Sequence, residues 1–359
     1  MPKDRLSDLI KKEVLGLTAY ATETIPCPVR LDANENPFSL PQTLHEEFIG
    51  AIRGVSLNRY PEPGSSFSLA ARLAEACGVE RDMLMLGNGS DELIQILCAS
   101  LTGSTALIPA PTFVMYRLIS LNNGHKTLEA PLDSEFDLDL DAMLKQIEDH
   151  SPTLIFLGYP NNPTGNCFTG EKIEAILKKA PGLVVVDEAY GNFSGKSFLP
   201  FLKKYKNLVI LKSLSKIGFA ALRIGYLIGR ASLVRELNKV RLPYNINAIS
   251  QVGVGFYLKH EAVFLEQAAE IIERREELYF AMQQIEGIYP YPSSANFIFF
   301  RCPFDTDRIY GELIQQGVLI RNFGSAVNLR NCMRVTVGKQ EENEAFLDAL
   351  KRIIAKGGV

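Results

Sequence analysis

The chain has 359 residues, 47% of them hydrophobic and 22% charged, with a formal net charge of −3. That length suits two domains or one large one with an appendage, and the near-neutral charge provides no basic field for nucleic acid or an anionic membrane. The charged opening MPKDRLSDLIKKEV predicts no signal peptide, and no apolar run approaches the ~20 residues that span a bilayer, so the expected location is the cytoplasm. Six cysteines without a CxxC pair read as reduced thiols, and four scattered histidines argue against a metal site or a His-dependent triad.

Residues 3–17 carry Leu6, Leu9, Ile10, Val14 and Leu17 at helical spacing, which predicts an amphipathic first helix. LDANENPF (31–38) is polar, contains a proline and reads as a loop. From about residue 83, short apolar runs alternate with helical stretches. The predicted strands are MLML (83–86), ALI (106–108), LIFL (154–157), LVVV (183–186) and LVIL (208–211). Helical patterns at 91–101 and 171–180 lie between them. This alternation predicts an α/β fold with a mostly parallel sheet flanked by helices.

Beyond residue 255 the pattern changes. Residues 260–286 predict one long helix with Gly287 as its C-terminal stop. Three strand-like runs follow, NFIFF (296–300), GVLIR (317–321) and MRVTV (333–337), and then a last helix over 342–356. The expected organisation is a large domain over 34–252 and a small α+β domain built from 1–33 and 253–359, with the long helix bridging the two.

In an open α/β sheet, ligands collect at the carboxyl ends of the strands. Here MLML leads into GNGSDE (87–92), LIFL into GYPNNPTG (158–165), LVVV into DEAY (187–190), and LVIL into KSLSK (212–216), with Arg223 seven residues after Lys216. Small residues at a helix N-terminus let backbone N–H groups approach a phosphate. A lysine able to form a Schiff base, with a carboxylate facing a pyridinium nitrogen, is the minimum equipment for pyridoxal 5′-phosphate (PLP) chemistry. Singly, each loop has a plainer reading: a capped turn, a structural ion-pair partner, a solvated lysine. Four such loops at successive strand ends are hard to explain by packing alone.

The chain resembles the fold-type I PLP-dependent aminotransferases, and within them the histidinol-phosphate aminotransferase family. The resemblance rests on LTAY (17–20), LDANENP (31–37), RYP (59–61), GNGSDE (87–92), PTFVMY (111–116), NNPTG (161–165), VVDEAY (185–190), SLSK (213–216), LRIGY (222–226), VRLPYNIN (240–247), GVLIR (317–321) and MRVTVG (333–338). It implies that Lys216 carries PLP and shuttles a proton, that Asp187 pairs with the pyridine nitrogen, and that Asn162 and Tyr190 donate to the ring oxygen. It implies that Ser213, Ser215, Arg223 and the amides of Ser90 and Asp91 hold the phosphate, and that Phe113 stacks on the ring. Tyr60 would reach the phosphate of a neighbouring subunit in a homodimer. Two departures stand out. Phe113 occupies a position that is often tyrosine in the family. The Lys216–Arg223 spacing is one residue shorter than is common, which predicts a tighter path for IGFAAL.

For the substrate, the resemblance assigns Arg334 to the anionic group, with Arg321 and Tyr20 beside it. The implied reaction is amino transfer between L-histidinol phosphate and 2-oxoglutarate, giving imidazole-acetol phosphate and glutamate in histidine biosynthesis. Rival readings are a threonine-phosphate decarboxylase-like lyase and a broad or aromatic amino-acid aminotransferase. A non-catalytic PLP-binding module is the alternative from another class.

Overall fold

The structure is a computed structural model that describes residues 9–19, 24–62, 64–103, 105–324 and 329–356. Thirteen strands are found among them. They are β1 (Val29–Arg30), β2 (Leu84–Asn88), β3 (Thr105–Ala110), β4 (Lys126–Pro131), β5 (Leu154–Gly158), β6 (Leu183–Asp187), β7 (Leu208–Ser213), β8 (Ile224–Ile228), β9 (Tyr289–Pro290), β10 (Phe297–Arg301), β11 (Val318–Leu319), β12 (Arg321–Asn322) and β13 (Cys332–Thr336). Seven form one sheet in the order β2-β8-β7-β6-β5-β3-β4. Every neighbouring pair is parallel except those made by β8, which runs against both β2 and β7.

The central strands are apolar on both faces because both faces are covered. Ile155, Leu157, Val184, Val186 and Ile210 enter one core, and Leu154, Phe156, Val185, Val209 and Leu211 enter the other. This is the period-two alternation of a strand, read out as two separate layers. The helix Gly170–Lys179 covers one layer with Ile173, Ile176 and Leu177, the spacing of an amphipathic helix.

A four-stranded antiparallel sheet, β12-β13-β10-β9, and the parallel pair β1-β11 surround a further core. The last helix, Gln340–Ala355, buries Phe346, Leu350 and Ile353 there. The helix Glu261–Gln283 touches both bodies. Phe264 packs in the core of the large sheet, and Ala268, Ile271, Leu278 and Met282 pack in the other.

Several elements differ from expectation. The first helix covers only Lys12–Leu15, and Leu9, Ile10, Val14 and Leu15 are exposed. With its apolar side chains left exposed, burial does little to extend the helix beyond one turn. Residues 3–8 of that segment lie outside the described residues. A separate helix that was not expected, Ala248–Lys259, meets the long helix at His260, and the long helix itself is the single Glu261–Gln283. It ends before Gly287, whose left-handed φ of 79° serves the turn into β9. GVLIR divides between β11, paired with β1, and β12, paired with β13. Four strands were not expected: the two-residue β1 and β9, and β4 and β8 in the large sheet. β4 is an edge strand with Lys126 and Glu129 along it, and β8 follows Arg223 with no apolar–polar alternation to announce it.

Because β8 is antiparallel, its first residue lies at the same sheet edge as the last residues of the parallel strands. Arg223 is thus delivered beside the loops that follow β2, β6 and β7.

Candidate active site

That edge opens into a cavity of roughly 560 Å³ of empty space, lined by Ser90, Asp91, Phe113, Asn162, Asp187, Tyr190, Ser213, Ser215, Lys216 and Arg223, and also by Tyr116. One end is built from the helix Gly89–Ser100, β7 and β8. No side chain caps that helix, so the amides of its first turn face outward uncapped. Gly89 has φ +79°, and a Cβ there would stand 2.8 Å from Arg223 Nη2. A Cβ on Gly225 would stand 2.6 Å from the Ser90 nitrogen. Both glycines let backbone and guanidinium crowd together. Arg223 Nη1 donates to Ser215 Oγ at 3.2 Å, and Nη2 lies 3.4 Å from Asp91 Oδ2. Ser213 Oγ accepts the Ser215 N–H at 3.1 Å. The seven-residue path from Lys216 is a wide turn over Ser215–Phe219 and then a tight one over Ala220–Leu222, so only its second half is tightened.

At the opposite end Asp187 closes β6. Its carboxyl is buried, accepting the Tyr116 O–H at 2.8 Å and the Ala189 N–H at 3.0 Å. Burial pushes it up to about 6, and these two hydrogen bonds pull the other way. The next residue, Glu188, faces away from the cavity. It meets Lys212 Nζ at 3.0 Å, Ser197 Oγ at 2.8 Å and the Phe198 N–H at 2.6 Å, tying down the segment after β6.

Lys216 is half-buried, with Nζ 3.2 Å from the Ala33 carbonyl and 5.7 Å from the Tyr190 ring centroid. The Tyr190 hydroxyl accepts from Asn34 Nδ2 at 3.0 Å and Asn162 Nδ2 at 3.4 Å. Asn162 is aimed by its neighbour. Fully buried Asn161 donates to the Pro111 carbonyl at 3.0 Å and to Thr164 Oγ1 at 2.8 Å, locking the loop after β5 to the loop after β3.

An adjoining cleft shares Phe113, Asn162, Tyr190 and Lys216 and is walled by Arg321, Arg334 and Arg30. Arg321 and Arg334 are direct cross-strand partners on β12 and β13. Arg334 Nη1 donates to Asn162 Oδ1 at 2.5 Å and Nη2 to the Asp32 carbonyl at 2.7 Å, with its guanidinium 5.1 Å over the Phe297 ring. Like charges on facing positions repel, so this arrangement suits an anion between them. Tyr20 lies outside the described residues. Tyr60 is not part of either cavity; it is 77% exposed and stacks on Tyr244 with centroids 4.5 Å apart.

The family model for aminotransferase class I and II matches residues 28–350. A histidinol-phosphate aminotransferase from Nitrosococcus oceani is 45% identical over 98% of this chain and 99% of its own length. Another from Aquifex aeolicus is 42% identical over 96% of this chain and 98% of its own. The chain belongs to the histidinol-phosphate aminotransferase family of the class I and II aminotransferases. The fold agrees. The Sinorhizobium meliloti histidinol-phosphate aminotransferase in complex with PLP superposes with a TM-score of 0.87 at 22% identity, covering 97% of this chain and 98% of that one. The L-threonine-O-3-phosphate decarboxylase of Porphyromonas gingivalis has the same fold, at TM-score 0.79 and 21% identity over 91% of this chain and 99% of its own. Fold alone therefore does not separate transferase from lyase.

The cofactor of this aminotransferase family is PLP, and the residues present fit it. The glycine-lined cradle with two hydroxyls and an arginine suits a phosphate. The buried carboxyl of Asp187 suits a ring nitrogen that carries a proton, and Lys216 supplies the amine. In this aminotransferase the sequence reading assigned no role to Tyr116, Asn34, Asp32 or Arg30. All four stand inside or beside quoted motifs, PTFVMY and LDANENP. Nothing in a linear string says which motif residues face the cavity.

Proposed function

We propose that this protein catalyses amino transfer between L-histidinol phosphate and 2-oxoglutarate, yielding imidazole-acetol phosphate and glutamate in histidine biosynthesis. The observation that carries the reading is the wall of Arg321 and Arg334 across the cleft from Lys216. It sets an anion-binding surface opposite a reactive amine, and the named substrate comes from relatives 42–45% identical over nearly the full chain. When bound, PLP supplies an electron sink for charge developing at the substrate Cα.

The chain's own residues do the rest. Ser213, Ser215, Arg223 and the amides of Ser90 and Asp91 hold the cofactor phosphate. Asp187 keeps a proton on the ring nitrogen, Asn162 and Tyr190 hydrogen-bond the ring oxygen, and Phe113 packs on the ring face. Lys216 binds the cofactor at rest and carries the proton at Cα once substrate has entered. Arg334, with Arg321 and Tyr20, orients the phosphate of one substrate and a carboxylate of the other, which gives ping-pong kinetics.

The cytoplasm is the proposed location. Among the described residues no helix is long and apolar enough to cross a membrane. The proposed domains are 34–252 for the cofactor and 1–33 with 253–359 as the smaller unit; two distinct cores support a division into two, with the helix Ala248–Lys259 crossing the boundary and packing Val254, Phe256 and Tyr257 in the larger core. A homodimer is proposed in which Tyr60 reaches the neighbour's phosphate site. Its exposure in the single chain, together with that of Leu57, Leu242 and Tyr244, supports this.

The test is a single turnover on the PLP-loaded protein with L-histidinol phosphate alone. One equivalent of imidazole-acetol phosphate per site, followed by glutamate on adding 2-oxoglutarate, is the expected result. No conversion, with carbon dioxide released from threonine phosphate instead, would replace the transferase by the lyase.

A further inference from the structure

Two groups that flank the cofactor ring, Asp187 and Phe113, come from different loops, after β6 and β3. Both touch the same side chain. Tyr116 donates its hydroxyl to Asp187 Oδ2 at 2.8 Å. Its ring meets the Phe113 ring edge to face, centroids 5.5 Å apart at 86°. The Tyr116 ring is itself held by stacking on Phe156, with centroids 5.0 Å apart and planes within 5°. It is buried, in the first turn of the helix Val114–Asn122. A residue fixed on three sides has little rotamer freedom and can transmit its position to what it touches.

We propose that Tyr116 is the positioning residue of the cofactor ring, setting the Asp187 carboxylate and the Phe113 ring to one another. The proposal rests on the PLP-dependent reading above. Phe113 provides the stacking face and has no hydroxyl, so the phenol three residues on is the one that reaches the acid. The O–H fixes Asp187 Oδ2, and the Ala189 N–H fixes Oδ1. With both oxygens held, the carboxyl has one orientation to offer a ring nitrogen.

The hydroxyl also acts on charge. Burial disfavours the ionised acid, Asp91 at the head of Gly89–Ser100 and Glu188 beside it add to that, and the Tyr116 donor is the largest opposing influence. Lys216, Arg223 and Tyr190 complete the charged and titratable groups that line the same cavity. An ionised Asp187 is what a protonated pyridine nitrogen requires. Removing the hydroxyl should leave a larger share of the acid neutral near pH 7 and so weaken the hold on the cofactor. Tyr116 does not touch the transferred proton.

The test is Tyr116→Phe, which keeps the ring, its stack on Phe156 and its edge contact with Phe113. In the apoprotein, the Asp187 carboxyl is titrated by isotope-edited infrared spectroscopy, with Asp187→Asn as the blank. The expected midpoint rises by about one to two pH units, the loss of one hydrogen bond to a charged group. PLP affinity, measured by equilibrium dialysis, is expected to fall about two- to tenfold at pH 7, the share of ionised acid lost when a midpoint of about 6 rises by one to two units. The gap to wild type should narrow as pH rises past the new midpoint. An unmoved midpoint would overturn the proposal, and so would an affinity loss that is the same at every pH, since that is what loosened packing alone produces. The apoprotein titration needs no cofactor. A wild-type protein that failed to bind PLP would remove the functional reading, and the titration would still decide what Tyr116 does to Asp187.

Discussion

Asp187→Asn is expected to stabilise the apoprotein above neutral pH while weakening its hold on PLP. The acid is pushed up to about 6 from an ordinary 3.8, chiefly by burial. A carboxyl raised in the folded state contributes stability that is full below the unfolded value and is lost as pH rises through the folded one. The loss here begins near pH 3.8 and is complete soon after pH 6. A gap of about two pH units, at about 1.4 kcal/mol each, makes ionisation of Asp187 cost the apoprotein roughly 3 kcal/mol at pH 7.5. Asparagine carries no charge and avoids that loss. It keeps one acceptor for two donors, so the Tyr116 O–H must turn to accept from the new amide, which offsets about 1 kcal/mol. The net gain of about 2 kcal/mol corresponds to a melting shift of about 3 °C for a chain of this size. At pH 4.5 the two proteins should melt together. Saturating PLP should reverse the order at pH 7.5, because ligand binding stabilises whichever protein binds it better. The assay is thermal melting of dialysed apo and loaded proteins between pH 4.5 and 8. A wild-type apoprotein more stable than Asp187→Asn at pH 7.5, or a difference that does not change with pH, would refute the reasoning.

Lys216→Ala should abolish turnover while PLP still binds without a covalent link, checked by dialysis alongside a steady-state assay. Arg334→Ala should raise KM in both half-reactions by about 10- to 100-fold, because both substrates present an anion and a charge-assisted contact is lost; loss confined to one half-reaction would mean separate anion sites. Gly225→Ala should destabilise the fold by about 1–3 kcal/mol in urea unfolding, since its Cβ meets backbone at the Gly89–Ser90 approach and no side chain can yield. Mixed dimers of Lys216→Ala and Tyr60→Phe subunits should gain activity over the average of the parents, because one of their two sites then combines an intact Lys216 with the other subunit's intact Tyr60; activity equal to that average, in dimers verified by sedimentation, would argue that each site is self-contained.

Much of the site was legible because its residues cluster in sequence at strand ends. GNGSDE, NNPTG, DEAY and SLSK each follow a short apolar run, and in a parallel sheet all such ends gather at one edge. The same logic could not find β8, whose antiparallel course brings Arg223 to that edge from its N-terminal side. Nor could it rank residues within a motif. PTFVMY contains two aromatics three apart, and only the packing of Val114–Asn122 against Phe156 turns one to the cavity face and the other to Asp187.

The sequence by itself determined the α/β class and the family, and it singled out the proposed amine, acid and phosphate cradle, since these depend on local periodicity and on residue types at short spacing. Tertiary structure alone decided which charges face one another. Arg321 and Arg334 become cross-strand partners through the pairing of β12 with β13. Asn34 reaches Tyr190, and Asp32 reaches Arg334, across about 150 and 300 residues of chain. The apolar spacing of the first segment, by contrast, produced only one helical turn in the described residues, because amphipathic pattern makes a helix only where another surface buries it. Contacts between distant segments are set by how sheets and helices stack, and no local pattern encodes them.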